Sequence, residues 1–410
     1  MTVPVDGDPG TLELEPVPPP AEADLPRVAI VALNWNGRHH LGHFFESLGD
    51  LDYPADRREC VLVDNGSDDG SVEEVRRRWP WVRLEVNPRN IGFSAGCNQG
   101  ARTAADPEVV VFLNNDMRVE PGFLRRLVAP IVAGACTATT GKMLSWNGKV
   151  LNSAGGGMNF HGVGIQRGLG HPPHARYDVP RKTLFACGGA MAMRAGTFLE
   201  LGGFDEEFFA YYEDVDLGWR TWIAGHEVHY VPDAVCHHHH SSTSRRVPVE
   251  RLRLLQIRNP LLACFKNYDD DNLRRVLFPL VALAARRAYV ATGLRDAPAF
   301  RIEGLRRLPR ARWLARLLDR SRQSAVDRVA LADLVAVNDL IGQWDHWMER
   351  RAAVQALRRR PDAEVLPLFL HPLWCVEGDY GYAELHEGVA DFFGLRELFR
   401  GLTTLEEDPS

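Results

Sequence analysis

The first third of the chain alternates short apolar runs with segments that have the apolar spacing of helices. The run at 27–36 (RVAIVALNWN) ends in polar residues, and the segment at 39–51 has helical spacing and stops before Pro54. The same alternation recurs downstream, with further elements predicted at 60–66, 72–79, 82–86 and 92–105. Alternating units of this length predict an α/β fold, with a mostly parallel sheet flanked by helices on both faces.

The fourth predicted strand carries the strongest candidate chemistry. The stretch VVVFLNNDMRVE is apolar until Asn114, Asn115 and Asp116, which predicts a buried strand with a polar tip at the sheet edge. Two earlier strand ends carry Asn34 and Asp64, and such sheets bind ligands outside the carboxyl ends of their strands. A carboxylate beside two amides suits a hard divalent cation that also binds a substrate diphosphate. An ordinary Asn/Asp turn is the alternative interpretation.

Length and composition limit the class of protein. With 410 residues, of which 45% are hydrophobic, the chain is long enough for one large domain and an appended helical region. A formal net charge of -6 argues against a general nucleic-acid binder, so no nucleic-acid partner is expected. The seven cysteines are scattered and form no CxxC pair, which argues against disulfides or a zinc site and favours a reducing, cytoplasmic compartment.

The composition divides the chain into three regions. Residues 1–25 are acidic and proline-rich, lack the features of a secretory signal, and are predicted to be a disordered leader. Residues 26–267 contain the alternating pattern, and residues 268–410 are predicted to be mainly helical. Within the second region the periodicity fails between 134 and 182, where Gly, His and Pro residues favour a mobile loop over a site.

Five ordered motifs carry a resemblance to a known family. They are VALNWNG, VLVDNGSDDGS, NPRNIGFSAGCNQG, VFLNND and FAYYEDVDLGWR, and they lie within residues 27–267. In this combination the chain resembles the family 2 glycosyltransferases with a GT-A fold, and in particular their bacterial rhamnosyltransferase-like branch. The resemblance implies an inverting, metal-dependent enzyme. It would move a sugar, with rhamnose suggested, from a dTDP- or UDP-sugar to a hydroxyl of a glycan or lipid-linked acceptor in cell-wall or surface polysaccharide synthesis.

The resemblance assigns the nucleotide end of the donor to the first two strand ends. Asp64 can accept the imino proton of a uracil or thymine ring, with Asn34 and the Asn65-Gly66 turn around the nucleoside. A turn that only caps the next helix is one alternative, and close helix packing at the glycine-rich segment 92–98 is another. The implied donor-binding residues are Asn34, Asp64, Asn65, Gly66, Asn90, Gly92, Asn98, Asn114, Asn115, Gly188 and Gly189.

The same resemblance implies a divalent metal, Mg2+ or Mn2+. Asp116 occupies the place of the last acid of the family's DxD motif and is the expected direct ligand. Asn114 stands where the motif has its first Asp, and this neutral ligand makes metal affinity dependent on bound donor. A histidine after the last strand completes such a site in the family, and His237 and His238 are the candidates.

Three carboxylates within residues 213–216 begin a predicted helix. By resemblance, Asp214 is the general base that removes the proton of the acceptor hydroxyl, with Glu213 beside it in the catalytic pair. Glu213 and Asp216 would hold the acceptor or the helix start, and Tyr212 is assigned to the acceptor. The alternative is that these acids only stabilise the helix through its dipole. One base and a metal-held diphosphate leaving group imply inversion at the anomeric carbon.

An apolar run at 276–285 (VLFPLVALAA) is flanked by arginines, and a second arginine-rich stretch follows at 301–322. Ten residues that include Pro279 are far fewer than the roughly 20 needed to span a bilayer, so no transmembrane helix is predicted. Such segments suit peripheral contact with the inner face of the plasma membrane. A solvated helix-bundle face or a dimer contact is the larger alternative.

Two other classes of protein compete with the transferase. A dinucleotide-dependent oxidoreductase shares the type of sheet, but no GxGxxG follows the first strand. A non-catalytic carbohydrate- or nucleotide-sugar-binding protein derived from a transferase is disfavoured by Asp64, Asp116 and Asp214 and mildly favoured by Asn114. No residue distinguishes dTDP-, UDP- and GDP-sugars.

Overall fold

The computed structural model describes residues 12–239, 248–291, 328–377 and 379–400, and its centre is a β-sheet. Within these residues, ten strands form one sheet and two short strands form a separate antiparallel pair. The strands are β1 (Val28–Asn34), β2 (Arg58–Asp64), β3 (Arg83–Val86), β4 (Val109–Leu113), β5 (Met117–Val119), β6 (Ala138–Ser145), β7 (Leu151–Ser153), β8 (Gly156–Met158), β9 (Gly164–Gln166), β10 (Arg181–Lys182), β11 (Ala190–Arg194) and β12 (Val228–His238).

Helices cover the sheet and form most of the C-terminal part of the described chain. They are α1 (Arg38–Gly49), α2 (Ser71–Arg78), α3 (Phe93–Thr103), α4 (Phe123–Val132), α5 (Ala195–Glu200), α6 (Glu213–Ile223), α7 (Val249–Asn267), α8 (Asp270–Ala291), α9 (Arg328–Gly342), α10 (Trp344–Ala356), α11 (Tyr380–Phe392) and α12 (Leu395–Leu398).

The order of strands places the predicted strand ends next to each other. The order is β3-β2-β1-β4-β11-β6-β12-β10, and β1 pairs in parallel with both β2 and β4. The register sets Asn34 directly opposite Asp64. Strand β11 runs antiparallel between β4 and β6. The predicted α/β class with a mostly parallel sheet is confirmed.

Strand β4 shows why the apolar runs form the centre of this sheet. All five of its residues are buried. Val110 and Phe112 belong to the apolar cluster on one face of the sheet, whereas Val109, Val111 and Leu113 belong to the cluster on the other. Because successive side chains of a strand point to opposite faces, only a continuous apolar run can satisfy a sheet that is covered on both sides.

The predicted mobile loop between 134 and 182 is wrong. The segment contains strands β6 to β10, and most of residues 151–168 are buried or half-buried. A Cβ on Gly156 would lie 2.3 Å from the ring of Phe185, and one on Gly157 would lie 2.6 Å from Cβ of Leu370. Glycine therefore serves close packing here. It interrupts the apolar periodicity without making the segment mobile.

Part of the predicted leader also packs against the domain. Leu12 and Leu25 are buried, and the Leu14 N–H donates to the Pro180 carbonyl at 2.8 Å. For residues 12–25 the prediction of disorder is therefore wrong, whereas residues 1–11 lie outside the described part of the chain.

The C-terminal helices share one apolar core with the sheet. Trp347 and Tyr382 are fully buried in the same cluster as Phe112 and Trp219. This region is mainly helical, as the sequence predicts. The residues before and after position 267 therefore share one core. The predicted division at 267 reflects only a change in sequence pattern.

The apolar run on α8 contributes to that core and not to a membrane-docking surface. Val276, Leu280 and Leu283 are buried. Arg286 pairs with Asp379 at 3.3 Å, and Arg287 pairs with a buried aspartate described below. This part of the membrane-contact prediction is therefore not supported, and the stretch 301–322 lies outside the described residues. Among the described helices, none combines the length and apolar composition of a membrane span.

A buried ion cluster ties α6 to α7. Nζ of Lys266 lies 2.5 Å from Oδ2 of Asp205 and 2.9 Å from Oδ1 of Asp216, and Arg220 reaches the other oxygen of Asp216 at 2.8 Å. Burial alone would favour neutral acids, but the charges of Lys266 and Arg220 hold the pKa of Asp216 below its ordinary value. The carboxylates are therefore ionised, and they depend on Lys266 for compensation.

We expect Lys266→Met to lower the free energy of unfolding by about 3–5 kcal/mol, because it leaves two buried carboxylates without their shared cation. Urea unfolding followed by tryptophan fluorescence measures the change. The matched control is Lys149→Met at an exposed position, where we expect a change within about 0.5 kcal/mol. A loss below about 1 kcal/mol for Lys266→Met would contradict the role given to the cluster.

Candidate functional site

A chain of side-chain hydrogen bonds joins the ends of β2, β1 and β4. Nδ2 of Asn34 donates to Oδ2 of Asp64 at 2.7 Å, and Nδ2 of Asn115 donates to Oδ1 of Asn34 at 2.7 Å. A Cβ on Gly37 would lie 2.5 Å from Nδ2 of Asn115, so glycine is needed there for the close approach. The other oxygen of Asp64 accepts from the Ser67 N–H at 2.8 Å. The structure thus brings together three predicted donor-site residues, and Gly37 and Ser67 join them although the sequence did not single them out.

The turn after β2 and the segment before α3 form the next wall of this region. Nδ2 of Asn65 donates to the Gly92 carbonyl at 3.0 Å and lies 3.3 Å from Oδ1 of Asn90, which also accepts from the Gly92 N–H at 2.9 Å. Gly66 packs against the backbone of Arg89, where a Cβ would lie 2.8 Å from Cα. These predicted donor-binding residues are adjacent, and they hold each other in place.

Asn98 lies elsewhere than its donor-site assignment requires. It is buried within α3, where its amide donates to the Phe204 carbonyl at 2.9 Å and to Glu206 at 3.0 Å. Its Oδ1 accepts from the Phe204 N–H at 2.9 Å. All its polar atoms anchor the segment 203–206, so we do not retain Asn98 as a donor contact. The motif gave no sign of this, since a buried asparagine and a ligand-binding one look the same in sequence.

The loop before β11 connects the metal motif with the carboxylates of α6. The Asn114 N–H donates to the Gly189 carbonyl at 3.0 Å, and the Asn114 amide covers Gly189 so closely that a Cβ there would lie 2.8 Å from Nδ2. One residue earlier, the Gly188 N–H donates to Oδ2 of Asp214 at 2.9 Å. The predicted donor loop and the predicted base are therefore linked by one hydrogen bond.

Of the two histidine candidates for the metal, the structure places one beside Asp116. Nε2 of His238 lies 3.3 Å from Oδ1 of Asp116. Because neighbouring residues of a strand face opposite sides, His237 points the other way, with its ring nitrogens 3.5 Å from Glu120 and 3.4 Å from the Ser145 carbonyl. We therefore drop His237 from the metal site. His240 lies outside the described residues.

The donor atoms at Asp116 and His238 fit a divalent cation that is completed by a ligand. Two donors about 2.1 Å from one ion and at right angles to each other lie about 3 Å apart, close to the 3.3 Å observed. Imidazole with carboxylate suits Mn2+ better than Mg2+. Within the described residues, no three His, Cys, Asp or Glu side chains form a complete cation site. A metal held here therefore requires further oxygen ligands from elsewhere.

A strained backbone precedes the carboxylates of α6. Phe209, Tyr211 and Tyr212 have φ of 61°, 70° and 67°, values that non-glycine residues rarely adopt. The Phe209 carbonyl accepts from the N–H groups of Phe93 and Ser94 at 2.6 and 3.2 Å. Contacts from α3 therefore stabilise the strained backbone on one side.

Asn259 of α7 holds the same segment from the other side. Its amide nitrogen lies 2.9, 3.0 and 2.8 Å from the carbonyl oxygens of Phe208, Ala210 and Tyr211. Asn259 is fully buried. Sequence reasoning missed this residue, because a lone asparagine in a helix of arginine and leucine carries no motif.

Comparisons with known proteins agree with this geometry. The family model described as Glycosyl transferase family 2 matches residues 28–201. An N-acetylglucosaminyl-diphospho-decaprenol L-rhamnosyltransferase of Mycobacterium tuberculosis is 30% identical over 246 residues, covering 54% of this chain and 79% of the relative. The chain belongs to glycosyl transferase family 2. This glycosyltransferase is also 35% identical to the rhamnosyltransferase WbbL of Escherichia coli over 75 residues, which are 16% of this chain and 28% of that protein.

The fold comparison agrees with the family. The structure of GalNAc-T7 with UDP, GalNAc and Mn2+ superposes with a TM-score of 0.50 at 16% identity, covering 74% of this chain and 58% of that one. The predicted GT-A fold and the predicted rhamnosyltransferase-like family membership are confirmed.

The three carboxylates of the glycosyltransferase's α6 have different surroundings. Glu213 is buried, and within the described residues its Oε2 has no hydrogen-bond partner. Burial, followed by the charge of Asp214, raises the pKa of Glu213 well above its ordinary value. Burial also raises the pKa of Asp214, although the N–H groups of Gly188 and Val215 oppose the shift. Asp216 lies in the ion cluster instead, so the structure favours its role at the helix start over acceptor contact.

Glu213→Gln tests this buried carboxyl through pH. Since the pKa of Glu213 is higher in the folded than in the unfolded state, ionisation costs stability as pH rises above the unfolded value. The variant should gain on the order of 1 kcal/mol relative to wild type between pH 4 and pH 8. Urea unfolding at the two pH values measures the gain, with Glu349→Gln at an exposed position as control. A pH-independent difference would refute the raised pKa.

Proposed function

We propose that this glycosyltransferase moves a sugar from a nucleotide diphosphate to a hydroxyl group with inversion at the anomeric carbon, with Asp214 as the base. The observation that carries the proposal is the hydrogen bond of 2.9 Å from the Gly188 N–H to Asp214. It fixes a carboxylate against the loop whose next residue, Gly189, touches the end of β4. The base therefore lies beside the place where the strand ends would hold the donor.

The nucleotide end of the donor lies at the Asp64-Asn34-Asn115 chain of hydrogen bonds. Asp64 can accept the imino proton of a uracil or thymine ring by one of its remaining lone pairs. In the resting structure both carboxylate oxygens are engaged by the chain itself, with Asn34 at 2.7 Å and the Ser67 N–H at 2.8 Å. These partners orient the carboxylate before the nucleobase binds, which reduces the ordering that binding requires.

The diphosphate lies at Asp116 and His238, which would hold a divalent cation between them. A cation bound there would neutralise the charge that develops on the departing nucleotide diphosphate. Asn114 supplies an amide in place of a second carboxylate. With only one formal negative charge from the chain, we expect metal and nucleotide to bind cooperatively.

The acceptor hydroxyl loses its proton to Asp214 as its oxygen attacks the anomeric carbon. The raised pKa of Asp214 makes it a stronger base than an ordinary aspartate. Its neighbour Glu213 has a raised pKa from burial and from the charge of Asp214, and it favours the neutral form. We assign the ionised form to Asp214, because the N–H groups of Gly188 and Val215 donate to its two oxygens. A single displacement needs one such base, whereas a double displacement needs a carboxylate as nucleophile.

Our proposal for the substrates rests on the relatives. The Mycobacterium tuberculosis relative is named for transfer of L-rhamnose to an N-acetylglucosaminyl-diphospho-decaprenol. We propose a dTDP- or UDP-sugar, with rhamnose as the first candidate, and a sugar linked through diphosphate to a lipid as the acceptor.

The test is release of nucleotide diphosphate from dTDP-, UDP- and GDP-sugars with a lipid-linked acceptor and Mn2+. Asp214→Asn should lower turnover about 10²-fold or more, since it removes the proton acceptor, and should leave donor binding within about twofold. Asp233→Asn at an exposed position serves as control. Turnover by Asp214→Asn equal to that of wild type would remove Asp214 from the mechanism, and donor binding without turnover across the panel would favour a non-catalytic protein.

Neighbouring histidines offer a matched test of the metal site. His238→Ala, like Asp116→Asn, should weaken nucleotide diphosphate binding in the presence of Mn2+ on the order of tenfold or more, because the first removes a direct ligand and the second replaces a charged ligand with a neutral one. His237→Ala changes the adjacent ring on the opposite face of β12 and should not do so. Isothermal titration with and without a chelator measures the effect. Equal losses for the two histidine variants would exclude His238 as a specific ligand.

A further inference from the structure

A cavity of about 310 Å³ lies between the C-terminal helices and the segment before the carboxylates of α6. Tyr212 forms part of its wall, and Asp214 follows two residues later. Helices α7 and α8 contribute an apolar surface that includes Ile257, Leu280 and Leu283, and the segment 374–377 closes the opposite side. The size lies at the lower end of the range for small-ligand sites.

Two guanidinium groups face this apolar cavity. Arg253 and Arg287 line it together with one carboxylate, Glu377. Arg287 is held by Asp333 at 2.7 Å and by the Tyr382 hydroxyl at 3.1 Å. Arg253 is about one-third exposed, and its ion pairs are long: 3.8 Å to Asp333 and 3.5 Å to Glu377. Both distances exceed that of an ordinary N–H···O hydrogen bond, so Arg253 keeps donors for an anion.

A histidine in the cavity wall is neutral at ordinary pH. His161 also lines the cavity, and burial together with the charges of Arg287 and His386 lowers its pKa to about 3. Burial, followed by the charge of Asp214, raises the pKa of Tyr212 to about 12, although Arg287 and Arg253 oppose the shift. The two arginines of the cavity therefore lie close enough to Tyr212 to act on it electrostatically.

We propose that this cavity binds the diphosphate and the first part of the hydrocarbon chain of a lipid-linked acceptor, with Arg253 as its main phosphate ligand. The guanidinium fork matches phosphate oxygens in charge and geometry. Leu280 and Leu283 supply the apolar wall that a free phosphate would not need. The proposal rests on the proposed function and deepens it. Tyr212 in the cavity wall lies two residues before Asp214, so we place the sugar attached to the diphosphate on the Asp214 side of Tyr212.

Farnesyl diphosphate, farnesol and inorganic pyrophosphate are the probes, and titration calorimetry on the full chain is the measurement. Wild type should bind farnesyl diphosphate at least tenfold more tightly than either of the other two. Arg253→Gln should lose about tenfold in affinity for farnesyl diphosphate and change less than twofold for farnesol. Arg251→Gln, an exposed position two residues away on α7 that does not line the cavity, is the matched control.

A second variant keeps the charge and fills the space. Ala284 is buried and lines the cavity, so Ala284→Met should weaken both farnesyl diphosphate and farnesol. Binding of farnesyl diphosphate that neither variant changes would overturn the proposal. Pyrophosphate that binds as tightly as farnesyl diphosphate would show a site for free phosphate and would also overturn it.

The experiments can refute the cavity proposal and the proposed function independently of each other. Sugar transfer to a lipid-linked acceptor with a Michaelis constant unaffected by Arg253→Gln would refute the cavity and leave the proposed function standing. Binding of farnesyl diphosphate that depends on Arg253, without transfer from any donor, would refute the proposed function and leave the cavity assigned.

Discussion

The strained backbone at 209–212 is the constraint on which the site depends, because it turns the chain directly into the carboxylates of α6. Three positive φ angles in four residues cost of order 1–3 kcal/mol each. Hydrogen bonds stabilise the strained backbone on two sides, from the start of α3 to the Phe209 carbonyl and from the Asn259 amide of α7. Gly92 fits the first contact, since a Cβ there would lie 2.7 Å from the Phe209 carbonyl oxygen. Helix α7 therefore helps to position the carboxylates of α6.

Two buried carboxyl groups within one turn of α6 have opposite electrostatic surroundings. At Asp216 the protein supplies cations from Lys266 and Arg220, and the pKa falls. At Glu213 it supplies none, and burial raises the pKa. The first arrangement anchors the helix to α7, and the second raises the pKa of a carboxyl group beside the proposed base. The difference arises largely from Lys266, which lies 50 residues from Asp216 in sequence. Three similar acids in one motif therefore acquire unlike properties.

The sequence predicts well what depends on local pattern. Continuous apolar runs predicted β1, β2 and β4, and parallel pairing brought Asn34, Asp64 and Asn115 together. Prediction failed where distant contacts decide. Gly156 and Gly157 contributed to the prediction of a mobile loop, but glycine is needed there because Phe185 and Leu370 pack against the backbone. Asn98 and Asp216 matched motif positions, but their polar atoms bond to residues elsewhere in the chain. His237 and His238 could be separated only once the strand's alternation placed one of them beside Asp116.

The division of the site between elements bears on specificity. The match to the family model ends at 201 and includes the strand ends, Asp116 and the Gly188-Gly189 loop. Asp214, Asn259 and the cavity beyond Tyr212 lie after that limit, on α6, α7 and α8. Of the residues that the proposed function gives to the nucleotide diphosphate donor, all but His238 lie in the first set, around the parallel strand ends of the GT-A fold. Under the same proposal the acceptor contacts the helical part, where the shape of the cavity and Arg253 can change without disturbing the donor residues.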